Sequence, residues 1–286
     1  MIFLNIILVT ITLIVFLAAF GIVFAYSTGH ELRSYPVLPP EAQVEIAGKT
    51  LSVSDLALAY QPLMNLRKNN PSPPLLWTWY EAAKTASGVD LVYYQVWGDE
   101  IHPDPFNHGL YRIFRWAYYG SLLRDIEYFQ ISLSASNGAV REMLFETSPG
   151  DDYFIAFSQH LAARYRRRPD GLFDATLGNP SSGLEVSHLS GVAPLFDRGH
   201  VRVLAQTWNH LTRLLTASDS NLIRLSTQLK FLTAEEYAAF KFVRKSQGDH
   251  KTRENPCTRR IASLANLILL PGTIYLRFRF GRKEVQ

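Results

Sequence analysis

The sequence predicts an α+β protein: an N-terminal transmembrane helix, then a domain with a central antiparallel sheet and a more helical C-terminal half. Three features predict it. Residues 2–25 carry no charge, and only Asn5, Thr10 and Thr12 among them are polar. Two strand-like runs, Asp125–Ser134 and Val140–Thr147, flank an Asn137-Gly138 turn, the strongest short-range hairpin signal. Thr233-Ala-Glu-Glu236 has the form of a capping box ahead of an apolar-periodic stretch.

As a helix, the 24 residues Ile2–Ala25 span roughly 36 Å, against a hydrocarbon core of about 30 Å. The rival is a cleaved signal peptide, which has a basic start, a shorter apolar run and a small-residue cleavage site. Here no Lys or Arg precedes the segment, and Phe24-Ala25-Tyr26-Ser27 is a poor cleavage site. The expectation is a signal-anchored, single-pass membrane protein with most of the chain extracytoplasmic. Glu31 and Arg33 cancel, so export of the bulk follows from the default and not from flanking charge.

Four segments follow from composition: an anchor (1–26), a Pro-containing linker (27–40), a soluble α+β domain (41–250) and a basic, hydrophobic tail (251–286). Pro36, Pro39 and Pro40 favour an extended spacer. Gln43–Val53 reads as a small hairpin with Gly48 in its turn, and Asp55–Leu66 has helical spacing. Leu91–Trp97 is rich in β-branched and aromatic residues and reads as a strand. Leu110–Tyr119 reads as a helix stopped by Gly120, and Thr233–Gly248 as another. Arg164–Asp170 and Gly178–Gly183 read as loops.

Composition narrows the function. With 47% apolar and 19% charged residues the chain is built to fold. Cys257 is its single cysteine, so an internal disulfide and a paired-cysteine metal site are both excluded. The net charge of +4 is uneven: from Lys251 onward eight bases and two acids give +6, leaving −2 for the rest. Nucleic-acid binding is therefore not expected, because the domain itself lacks a basic excess. No nucleophile elbow, zinc-protease helix, phosphate-binding loop or dinucleotide fingerprint occurs. The sequence names no cofactor.

The hairpin suggests the candidate catalytic residues. If Asn137 and Gly138 are the two turn residues, Ile131 faces Leu144 and Phe129 faces Glu146. Asp125, Glu127 and Glu146 then share one face beside apolar side chains, as acid/base and hard-metal sites require. The structural alternative is a salt-bridge network with Arg112, Arg115 and Arg124. A register change of one residue would move Glu146 to the other face.

Three further sets carry chemistry. Glu100 and His102, with Asp99, Asp104 and His108, are candidate metal ligands in a loop, although their spacing fits no established motif. Turn formation and helix capping are the ordinary reading. His200 and His210 flank Thr207-Trp208-Asn209, where a buried, hydrogen-bonded His is the ordinary outcome and catalytic involvement the alternative. The candidate binding residues are the run Arg164, Arg166, Arg167 and Arg168. Such runs are commonly solvated, and the alternative is contact with phosphate or anionic lipid. In the tail, Ile261–Tyr275 is interrupted by Pro271-Gly272 and flanked by arginines, so residues 261–282 are expected to contact the membrane interface, with a second span or ordinary packing as the alternatives.

Tyr119-Gly120 followed by Asp125-Ile-Glu127-Tyr-Phe-Gln-Ile resembles, over Ser121–Glu146, the strand motif of Vps62-related proteins. There a Gly-Asp-Trp-Glu segment opens a similar strand; Ile126 stands here in place of the Trp. The resemblance implies no particular activity. The expected function is a membrane-tethered binding or envelope-associated protein. The alternative is a membrane-anchored hydrolase or metal-dependent enzyme using the carboxylate cluster.

Overall fold

A computed structural model describes residues 36–68, 70, 72–105, 107–109, 112, 125–148, 161–178 and 185–239. These fall within one compact unit, Leu32–His250. Its strands are β1 (Gln43–Ile46), β2 (Lys49–Ser52), β3 (Leu63–Arg67), β4 (Leu75–Thr85), β5 (Gly88–Trp97), β6 (Asp125–Ser134), β7 (Val140–Thr147), β8 (Leu161–Arg167), β9 (Phe173–Gly178), β10 (Glu185–Val192), β11 (Phe196–Asp197), β12 (His200–Ala205), β13 (Thr212–Leu214), β14 (Leu222–Arg224) and β15 (Gln228–Phe231). Helices α1 (Val53–Tyr60) and α2 (Ala234–Ala239) are short.

Eight strands form one sheet in the order β10-β9-β8-β7-β6-β5-β4-β15. Every pair is antiparallel except β4 with β15. A second sheet runs β11-β12-β3-β14, with β13 also on β12, and its β3–β12 pair is parallel. One buried cluster joins the two sheets: Leu91, Tyr93, Phe129 and Phe145 from the first meet Met64, Val203 and Leu214 from the second, with Leu56 of α1. The opposite face of the large sheet carries a smaller cluster, including Trp79, Tyr94, Tyr128 and Leu144. Central strands β5 and β6 are therefore buried on both faces, which is why their sequences read as nearly continuous apolar and aromatic runs.

Turn chemistry sets the small hairpins. Ala47-Gly48 between β1 and β2, and Arg198-Gly199 between β11 and β12, have positive φ at both central residues, the geometry that matches strand twist. Gly88 is obligatory for a different reason: a Cβ there would collide with the carbonyl of Leu133 across the ladder.

Several expectations are corrected. The protein is β-rich, not α+β with a helical C-terminal half: β8 to β15 occupy that half among the described residues. Residues Arg164–Arg167 lie in β8, not in a loop, because Leu161, Ala163 and Tyr165 alternate inward between them. Asp55–Leu66 divides into the end of α1 and most of β3. The transmembrane, signal-anchor, single-pass description and its extracytoplasmic placement are also corrected. Among the described residues no helix is long and apolar enough to cross a membrane, and the eight residues of α1 reach only about 12 Å. The segments on which the anchor, the Leu110–Tyr119 helix and the interfacial tail rested lie outside the described residues, apart from Arg112.

Candidate functional site

The hairpin β6–β7 has the expected bounds and a different register. Its loop has four residues, closed by Ser134 N–H to Ala139 O (3.0 Å) and Gly138 N–H to Ser134 O (2.9 Å). A bulge at Arg141 then restores one position, so Phe129 faces Phe145 and Gln130 faces Leu144. Glu146 accordingly falls on the face of Tyr128 and Leu144, while Asp125 and Glu127 stay on the face of Phe129. The three-carboxylate cluster does not form on one face. All three acids are buried.

Asp125 finds a partner that is distant in sequence. Its Oδ2 lies 2.7 Å from Nδ1 of His210, with side chains 8% and 0% exposed. His210 sits in the loop between β12 and β13, at φ 59°, a left-handed backbone unusual for a residue with a Cβ. A tight turn holds it there: His210 N–H donates to Thr207 O at 3.0 Å, and Leu211 N–H donates to Thr207 Oγ1 at 3.1 Å. Thr212 Oγ1 to Glu146 O, and Gln206 Nε2 to Ser148 O, both 3.2 Å, fasten this loop to the end of β7. The imidazole stacks on Trp97, centroids 4.1 Å apart and planes within 7°. Trp97 and Asp125 are themselves opposed across the β5–β6 ladder.

A neutral imidazole donating from Nδ1 to the carboxylate leaves Nε2 as an acceptor, the arrangement of a general-base dyad. Among the described residues, His210 Nε2, Trp97 Nε1 and both ends of the buried Gln95 amide have no hydrogen-bond partner. His210 thus fits the ordinary expectation of a buried, hydrogen-bonded histidine. Its link to Asp125 was not legible, since 85 residues separate them. His200 is also structural in geometry, its Nδ1 lying 3.0 Å from Gln61 O at the end of α1.

Glu100 and His102 are buried in the loop after β5. His102 Nδ1 accepts from Asp104 N–H at 3.0 Å, and its backbone N–H donates to His108 Nδ1 at 3.3 Å. Asp104 Oδ1 accepts from Asn107 N–H at 2.7 Å, so the helix-starting cap is Asp104 and not Asn107, the residue the sequence suggests. The His102 ring packs on Trp208 at 4.8 Å. Among the described residues no group of three or more His, Cys, Asp or Glu is arranged to hold a metal ion.

Strand alternation divides the arginine run. Arg164 and Arg166 share the carboxylate of Glu142 at 3.1 and 2.9 Å. Arg168 reaches Asp170 at 3.0 Å and Asp174 at 3.5 Å. The Ser190 hydroxyl, then the Gly191 amide and Arg168, hold the Asp174 carboxyl below its usual range. Arg167, on the other face, has no ion pair or hydrogen bond from its side chain among the described residues. It lines a cleft of about 430 Å³ with Tyr60, Gly138, Leu172, Phe173, Pro194 and Phe196. Tyr60 Oη already donates to Gly138 O at 2.7 Å, and burial pushes its hydroxyl above the usual tyrosine range, keeping it neutral. Among the described residues no acidic side chain lines this cleft.

No family model and no curated protein matches the chain. Among solved structures it is similar, at 10% identity over 73% of this chain and 84% of that one, to one titled "Toxin fold for microbial attack and plant defense", with a TM-score of 0.36.

Proposed function

We propose that this protein is a non-catalytic binding module that takes a small ligand into the cleft beside Arg167. The observation that carries the reading is the contrast in access. The groups able to move protons, Asp125 and His210, are closed off, whereas the cleft is open and has a volume within the range of small-molecule sites. Its wall is mostly apolar, contributed by α1, the β6–β7 loop, β8, β9 and the segment before β11. Desolvating that wall supplies binding free energy without any reacting group.

Titration with a neutral apolar dye such as Nile red tests this. The full-length protein is expected to bind it one to one, and Ala193→Trp, placed at the rim, is expected to block it. Absence of saturable binding, or equal binding by the blocked variant, would sink the reading. A second reading, a hydrolase using Asp125 and His210, draws support from the partnerless Nε2. It requires that His210→Gln abolish ester hydrolysis by the purified protein while leaving the cleft's dye binding intact.

A further inference from the structure

We infer that the ligand of this cleft is an amphiphilic monoanion, a carboxylate with an apolar body, oriented by Arg167; the inference rests on the cleft being the binding site. Among the described residues Arg167 is the one cation in the lining, faces no acid there, and makes no ion pair or hydrogen bond. Its neighbours in the run are all ion-paired, Arg164 and Arg166 sharing Glu142 and Arg168 with Asp170 and Asp174. The strand's alternation thus spends three guanidiniums on internal carboxylates and leaves the fourth facing the cleft.

The rest of the wall defines the remainder of the ligand. Leu172, Phe173, Pro194 and Phe196 offer carbon surface, and Phe196 is 42% exposed beside β12. Tyr60, the wall's hydroxyl, is committed to Gly138 O. A polar ligand would leave its own groups unsatisfied against such a wall, at a free-energy cost. A dianionic phosphate would meet a single cation. A planar carboxylate matches the guanidinium fork through two parallel hydrogen bonds, and its chain covers the carbon surface.

Calorimetric titration of the full-length protein with decanoate and with decanol, both below their aggregation concentrations, tests the inference. Decanoate is expected to bind about tenfold more tightly than decanol, the scale of one charge-assisted contact near a surface. In Arg167→Gln decanoate should fall to the level of decanol, with decanol unchanged, which also shows that the variant is folded. If that variant loses decanol too, Arg167→Lys replaces it: retained preference for decanoate supports the inference, and lost preference overturns it. Equal affinities in the unmodified protein overturn the anion inference and leave the cleft reading standing. Binding of neither ligand ends both. Co-sedimentation with anionic vesicles without binding of monomeric decanoate also overturns it, in favour of a membrane surface.

Discussion

The two polar regions of this domain are opposites. Around Asp125 and His210 the fold gathers a carboxylate, an imidazole and the Trp97 indole, and closes them from solvent. Around Arg167 it places one guanidinium on an otherwise apolar wall and leaves it open. Chemical richness and accessibility are thus separated, and the comparison teaches that acidic composition is a poor guide to where an open cleft lies. A buried carboxylate is retained where its partner repays the desolvation, as Nδ1 of His210 does for Asp125. An exposed cation needs no such partner and can remain available.

Three substitutions would break or sharpen this contrast. The largest effect is expected from Asp125→Ala, which strands a buried imidazole and opens the joint between the β12–β13 loop and β6. Urea denaturation should show a loss of about 3–5 kcal/mol. A loss below about 1 kcal/mol would mean that the dyad does not hold the loop, and would move weight to a catalytic role.

Gln95→Leu should act in the opposite direction. Its amide is 1% exposed and has no partner among the described residues, so an apolar side chain of similar size removes a desolvation cost. A gain of about 1 kcal/mol is expected from unfolding curves. A comparable loss would reveal that the amide is satisfied by water or ligand in solution, and the buried region would then be a second site.

Arg167→Gln should have the smallest effect on stability, within about 0.5 kcal/mol of the unmodified protein, as for surface positions outside any network. Thermal unfolding at matched ionic strength would measure it. A larger loss would show Arg167 to be a structural ion after all, and the two regions would no longer differ in kind.

Some local signals in the sequence were read correctly, but the helix over Asp55–Leu66, the loop over Arg164–Asp170 and the long-range pairings were not. The bounds of β6 and β7 follow from their β-branched and aromatic runs, and the capping box is realised: Glu236 N–H donates to Thr233 Oγ1 at 3.1 Å and Thr233 N–H to Glu236 Oε2 at 3.0 Å. The register of that same hairpin was missed, because the Asn-Gly pair sits within a four-residue loop and the compensating bulge at Arg141 leaves no mark in composition. The helical reading of the C-terminal half failed for another reason. Strands such as β13 and β14 have three residues each, too few to show a period, and are specified by partners elsewhere in the chain. Arg167 could have been singled out from sequence alone had Leu161, Ala163 and Tyr165 been weighed as an alternating set.

The parallel pairing of β15 with β4 bears on how the protein is made. Trp77 waits for Gln228 and Tyr80 for Phe231, partners that leave the ribosome about 150 residues later. The β3–β12 pair imposes a similar delay, with Met64 opposite Val203. Until those late segments emerge, the β4 edge of the large sheet is bare and β3 has no neighbouring strand. Folding of this domain therefore completes only after Phe231 has emerged, and its early half is the species that a holding chaperone would meet.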